Sequence, residues 1–173
     1  DYLTIEEQLG RTTDFHLAWV GDSNNVSHSL MMMAAHFENR MTLAIPEGYD
    51  PKEPIWAEAE KVNPNVRELV KVVREPKEAV KEADVLYTDT WTSMGQEAEK
   101  QERRRAFEGF QINNELLAAA PEKAFVLHDM PAKRGEEITD EVLDGDRCQA
   151  FEQAENRMHA IKAILCWCLD KKT

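Results

Sequence analysis

Short apolar runs alternate along this chain with segments whose apolar side chains recur every three or four residues. That alternation predicts strands separated by helices. Phe15 to Val20 is an apolar run that stops at Gly21-Asp22, a first strand closed by a turn. From Asn25 to Phe37, Val26, Leu30, Met33, Ala34 and Phe37 follow helical spacing, with Met31, Met32 and Met33 as core filler. Thr42 to Ile45 reads as a second strand, ended by Pro46 and Gly48. A helix is predicted from Pro54 to Val62, and a third strand from Leu69 to Val73. Pro76 opens a helix through Ala83, with Ala79, Val80 and Ala83 inward, and Val85 to Thr88 is the fourth strand. Helices over Glu97 to Phe107 and Asn113 to Ala120 precede a fifth strand, Ala124 to His128, closed by Asp129-Met130-Pro131. A short helix from Thr139 to Leu143 and a long one from Ala154 to Leu169 complete the chain.

This order predicts an α/β, Rossmann-like three-layer domain, in which a five-stranded parallel sheet carries helices on both faces. Residues 1–173 are expected to form one such domain. Strand 1 should lie beside strand 4 at the switch point, with ligand chemistry beyond the ends of strands 1, 4 and 5. Polar clusters stand at all three ends: Gly21-Asp22-Ser23-Asn24-Asn25, Asp89 with Ser93-Met94-Gly95, and His128-Asp129-Met130-Pro131. Asn24 and Asn25 at a helix start offer amide donors beside free backbone N–H groups, which suits a carboxylate. Asp89 and Asp129 suit an ammonium group, so the set fits a small zwitterionic amino acid. Each cluster also has a purely structural reading, as a helix cap for the Asn pair and a turn residue for Asp129. No G-x-G-x-x-G or P-loop occurs, which disfavours a dinucleotide or nucleotide.

Composition narrows the partners. A formal charge of −12 argues against nucleic acid and anionic membranes, and Arg103-Arg104-Arg105 is flanked by Glu102 and Glu108. No apolar run approaches the roughly 20 residues of a membrane span, and the start lacks a signal-peptide pattern. Cys148, Cys166 and Cys168 make no disulfide framework, so a reducing, cytoplasmic compartment is expected, with Cys166 and Cys168 as buried small apolar residues. The five His residues show no metal-binding spacing, so neither a metal nor a cofactor is expected.

Taken in order, Gly21-Asp22-Ser23-Asn24-Asn25-Val26, Tyr87-Thr88-Asp89-Thr90-Trp91-Thr92-Ser93-Met94-Gly95, His128-Asp129-Met130-Pro131, Arg134-Gly135-Glu136-Glu137 and Ala154-Glu155-Asn156-Arg157-Met158-His159 resemble the amino-acid-binding half of ornithine carbamoyltransferases. The resemblance covers the whole chain, from the helix at Asp1-Tyr2-Leu3-Thr4-Ile5 onward. It implies a reaction of carbamoyl phosphate with L-ornithine to give citrulline and phosphate. It implies that Asn25, helped by Asn24, holds the ornithine carboxylate, and that Asp89 pairs with the α-ammonium. Ser93 and Met94 would sit on a loop over ornithine. The family's His-Cys-Leu-Pro motif falls on His128, Asp129, Met130 and Pro131, with the Met130 carbonyl and Arg157 facing the carbamoyl group.

Two departures change the expectation. Asp129 stands where the family has Cys, adding like charge beside Asp89, so ornithine recognition should be altered or weakened. The family's Ser-x-Arg-Thr and His-Pro-x-Gln phosphate motifs are absent from these residues, so no carbamoyl transfer is expected from this chain alone. Only seven glycines occur, and Asp14 and Glu38 stand where glycines would be expected. That pattern favours an engineered, reconstructed or isolated lobe, with a thermophile-like sequence or a piece of a longer chain as the alternative. Such a lobe would uncover Ile164, Leu165 and Trp167, giving weak self-association. A scaffold that keeps the fold without ligand function is the competing reading.

Overall fold

The computed structural model describes residues 1–92 and 97–170. Its strands are β1 (His16–Val20), β2 (Arg40–Ala44), β3 (Val70–Val73), β4 (Val85–Thr88) and β5 (Phe125–His128). Every pairing is parallel, and the order across the sheet is β3-β2-β1-β4-β5. The chain winds outward from β1 to β3, then returns to the other side of β1 for β4 and β5. The crevice beyond β1 and β4 is therefore the topological switch point.

Alternation along the strands sorts two cores. Leu17, Trp19, Met41, Leu43, Val85, Tyr87, Phe125 and Leu127 face one side. There they meet α1 (Tyr2–Leu9), α2 (Asn25–Phe37), α3 (Glu53–Val62) and α4 (Val66–Leu69). Ala18, Val20, Ala44, Leu86 and Val126 face the other, against α5 (Pro76–Val80), α6 (Lys100–Ala106), α7 (Asn114–Ala119) and α8 (Asp140–Leu143). Trp19 and Tyr87, both fully buried, stack at 5.4 Å and tie β1 to β4 just below the crevice. Burial on this scale stabilises by roughly 1.5–3 kcal/mol per large side chain.

Local chemistry sets the helix ends. α2 starts at Asn24, whose Oδ1 accepts the N–H groups of Val26 and Ser27 while Ser27 Oγ accepts from Asn24 N. It stops at Glu38, which takes a left-handed φ of 55°, and Asp14 is likewise left-handed at 58°. Charged residues thus occupy two positions whose backbone favours glycine.

Several expectations shift. The inward face of α2 is Ser27, Leu30, Met31, Ala34 and Ala35, with Val26, Met33 and Phe37 only half-buried. Leu69 closes α4, so β3 begins at Val70. A 3₁₀ turn over Glu97–Glu99 precedes α6. The last helix, α9 (Ala150–Asp170), begins a full turn before Ala154. Only its first turns dock: Ala150, Gln153 and Asn156 are buried, and Asn156 Nδ2 donates to Thr4 Oγ1 and Glu7 Oε2 on α1. From Arg157 onward α9 is exposed except for half-buried Ala160. Cys166 and Cys168 are therefore exposed, not buried. Helical spacing marks an apolar stripe but does not say whether a partner covers it. Ile164, Leu165 and Trp167 are exposed, Trp167 at 60%. No described helix is long and apolar enough to cross a membrane.

Candidate functional site

Three strand ends meet at the switch point. Thr88 on β4 pairs in register with His128 on β5, so Asp89 and Asp129 leave the sheet side by side. One ligand atom each from Asp89, His128 and Asp129 lies within 4.8 Å of the others. β1 contributes Gly21, whose φ is 144° and whose missing Cβ would stand 3.5 Å from Thr88 Oγ1. That hydroxyl donates to the Val20 carbonyl at 2.7 Å, closing β1 onto β4 where the crevice opens.

Asp89 is half-buried and already held. Its Oδ2 accepts from Asn24 Nδ2 at 2.6 Å, and its Oδ1 accepts from Thr90 N at 2.6 Å. Asn24 thereby spends both ends of its amide, the oxygen on the α2 cap and the nitrogen on Asp89. Asn25 is exposed at the first turn of α2 and lines a cavity of about 640 Å³ with Val26, Asp89, Thr92, Asp129 and Met130. Asp129 has a side chain 32% exposed. Burial first, and then the charge of Asp89, push its carboxyl up to about 7.

His128 is fully buried. Its Nδ1 accepts from Met130 N at 2.9 Å, so Nε2 carries the proton and donates to Glu137 Oε1 at 3.0 Å. Glu137, also fully buried, accepts from Lys133 N at 2.5 Å. The imidazole thus anchors the turn after β5, where Met130 has φ 52°. Arg157 is exposed on α9 and lines a second cavity of about 460 Å³ with Asp129, Met130 and Gln153. Asp129 and Met130 therefore stand between the two cavities. Ser93 and Met94 lie outside the described residues.

Four contributors were given no site role by the sequence, although Asp22 and Thr92 stand within the strand-end motifs. Asp22 forms a buried ion pair with Arg103 at 2.7 Å, each side chain only 8% exposed. Arg103 also donates to the Trp91 carbonyl at 3.0 Å, so it joins the ends of β1 and β4. Glu137 supplies the carboxylate behind His128, which a histidine at a buried strand end demands. Thr92 lines the larger cavity with a buried hydroxyl that has no hydrogen-bond partner among the described residues. Its polar type within the strand-end motif was the available signal.

The Asp89–His128–Asp129 trio can meet a cation only through its two carboxylates. Both His128 nitrogens are engaged, so only carboxylate oxygens remain to meet a positive charge.

Comparisons with known proteins identify the family and the fold. The family model for the aspartate/ornithine carbamoyltransferase Asp/Orn binding domain matches residues 13–168. The ornithine carbamoyltransferase of Archaeoglobus fulgidus is 51% identical over 173 residues, which is 100% of this chain and 55% of that protein. That of Gloeobacter violaceus is 49% identical, over 95% of this chain and 53% of that protein. The solved ornithine carbamoyltransferase from Pyrococcus furiosus superposes with a TM-score of 0.87 at 44% identity, covering 95% of this chain and 53% of that one. The Campylobacter jejuni anabolic enzyme gives 0.87 at 34% identity, over 99% and 57%. The chain thus spans about half the length of the relatives it matches. Sequence and fold together place the chain in the aspartate/ornithine carbamoyltransferase family, as its Asp/Orn binding domain.

Proposed function

We propose that this chain is the ornithine-binding half of a carbamoyltransferase. The carrying observation is the pair of carboxylates, Asp89 and Asp129, converging at the switch point beside the exposed amide of Asn25. The family description allows aspartate or ornithine. Lys100 and Lys133 also line this cavity but are engaged by Glu136 and the Thr92 carbonyl, so aspartate would bring two carboxylates to the Asp89–Asp129 pair, whereas ornithine brings two ammonium groups and one carboxylate. Charge complementarity favours ornithine. Asp89, oriented by Asn24, takes the α-ammonium, and Asn25 takes the carboxylate. Met130 and Arg157, beside the second cavity, face the carbamoyl donor. Calorimetric titration with L-ornithine and L-aspartate tests this. Ornithine should bind and aspartate should not, and the reverse preference would overturn the assignment.

Carbamoyl transfer needs a phosphate cradle that these residues lack, so turnover requires a carbamoyl-phosphate-binding lobe. Catalysis in such a site is positioning and charge stabilisation of two bound reactants. Citrulline formation by these 173 residues alone would refute this. Asp129 alters ornithine recognition relative to a cysteine there, so the ornithine affinity of Asp129→Cys should differ from the parent's and depend less on pH. The exposed stripe of α9 gives weak self-association, which sedimentation should show as a mass rising with concentration. A fold kept without ligand function is the second reading, favoured by the departure from the family's cysteine at Asp129. It predicts no heat with any amine.

A further inference from the structure

We propose that Asp89 and Asp129 hold one proton between them in the ligand-free site, and that an ammonium group entering the site displaces it. The inference rests on the ornithine reading only for the identity of the ammonium. The shared proton belongs to the free chain.

Register forces the two groups together, because Thr88 and His128 are paired and the next residue on each strand is an aspartate. Among the described residues, no lysine or arginine forms an ion pair with either carboxylate. His128 Nδ1 lies 3.6 Å from Asp129 Oδ1, but it accepts the Met130 N–H and so presents a lone pair. Lys133 Nζ donates to the Thr92 carbonyl at 2.8 Å, and Lys100 pairs with Glu136 at 3.7 Å. Arg157 and Asp1 line the neighbouring cavity, and no ion pair joins Arg157 to either carboxylate among the described residues. From below comes Tyr87, itself pushed up by burial and then by the Asp129 charge. Val26, Met130 and Pro131 make the cavity wall apolar. Asp89 already accepts two N–H groups, so it is the acceptor of the pair and Asp129 the donor. The buried Thr92 hydroxyl, unpartnered in the same cavity, offers a further polar contact to an incoming group.

With its proton, Asp129 is a neutral hydrogen-bond donor beside one anion, the electrostatic state that a thiol would give. Without it, the pair carries two charges and accepts an ammonium between them. An incoming ammonium favours the second state and sends the proton to solvent. Below neutrality, amine affinity should rise with pH by up to about tenfold per pH unit, then level off.

Carbon-13 NMR of the aspartyl carboxyls, titrated from pH 4 to 9, tests the shared proton. One resonance should titrate at about 7, vanish in Asp129→Asn and move to lower pH in Asp89→Asn. A carboxyl at 129 titrating in the ordinary range, or unmoved by Asp89→Asn, overturns the proposal. Calorimetry with L-ornithine at pH 6, in two buffers of different ionisation enthalpy, tests the displacement. Close to one proton should leave per ornithine bound, and none in Asp129→Asn, or in Asp129→Cys should the first variant not fold. Ornithine bound with no proton released overturns the displacement. If ornithine does not bind while the titration at 129 is as expected, the ornithine reading fails and the shared proton stands.

Discussion

Arg103→Met should destabilise the domain by about 3 kcal/mol near neutral pH. Arg103 is a buried cation with three acceptors: Asp22 Oδ2 at 2.7 Å, the Trp91 carbonyl at 3.0 Å and Glu99 at 3.2 Å. The Glu99 bond contributes little, because that side chain is 59% exposed. Asp22 is only 8% exposed, so removing its partner leaves a carboxylate in a low-dielectric site, at a cost of roughly 3–5 kcal/mol. Protonation limits the loss. Burial already raises the Asp22 carboxyl, Arg103 pulls it back, and the variant loses that pull. The deficit should therefore shrink as pH falls. Urea unfolding followed by circular dichroism at pH 7.5 and 5.5 measures this. With a slope of ~1.5 kcal/mol/M, the midpoint should drop by ~2 M at pH 7.5 and by less at pH 5.5. Adding Asp22→Asn to Arg103→Met should recover much of the loss. A loss under ~1 kcal/mol, or one that does not change with pH, would refute the reasoning.

Three further outcomes follow from the same geometry. Glu38→Gly should stabilise by ~1 kcal/mol, because α2 ends there in the left-handed region, where α1 uses Gly10 at φ 68°; a lowered melting temperature would contradict this. Asp129→Asn should stabilise by ~1–2 kcal/mol at pH 8, after allowance for solvent screening, and by little at pH 4. The folded-state carboxyl lies above its unfolded value, so its contribution is present at low pH and lost as pH rises through about 7; melting curves of both proteins across that range decide it. Asn24→Ala should cost ~1–2 kcal/mol through the lost cap and also weaken ornithine binding, whereas Asn24→Asp should keep the cap but lose the donor to Asp89. Equal ornithine affinity in both variants and the parent would remove Asn24 from the site.

The sheet was legible because its strands are apolar on both faces and its turns carry Gly, Pro and Asp. Five such runs separated by helical periods leave few topologies open. The short pieces were not legible. α4 is four residues, Val66–Leu69, too short to display a period of 3.6. The start of α9 was hidden because its buried first-turn residues are Ala150 and Gln153, one small and one polar, and Gln153 is buried to serve the His128 N–H and the Tyr87 hydroxyl. A polar residue that pairs with other buried polar groups carries no hydrophobic signal.

The same limit governs the site. Aspartates at strand ends announce themselves, since a carboxylate just beyond a buried strand stands where open α/β folds bind ligands. Their supporting residues do not, because sequence shows a charge but not its partner. Arg103-Arg104-Arg105 reads as one solvated basic run, yet the fold divides it. Arg103 turns inward to Asp22, while Arg104 pairs with Glu136 at the surface. Glu136 and Glu137 divide likewise, one toward that surface pair and one buried against His128. Neighbours on a helix or turn point to different surroundings, so identical residue types take opposite roles one position apart. Where an acidic residue and a basic residue each have a more deeply buried copy beside a less buried one, the deeper copies sit behind the strand ends that carry the chemistry. A buried charge is tolerated only where its partner is fixed, and at this switch point Asp22–Arg103 and His128–Glu137 hold the ends of β1 and β5 in place around Asp89 and Asp129.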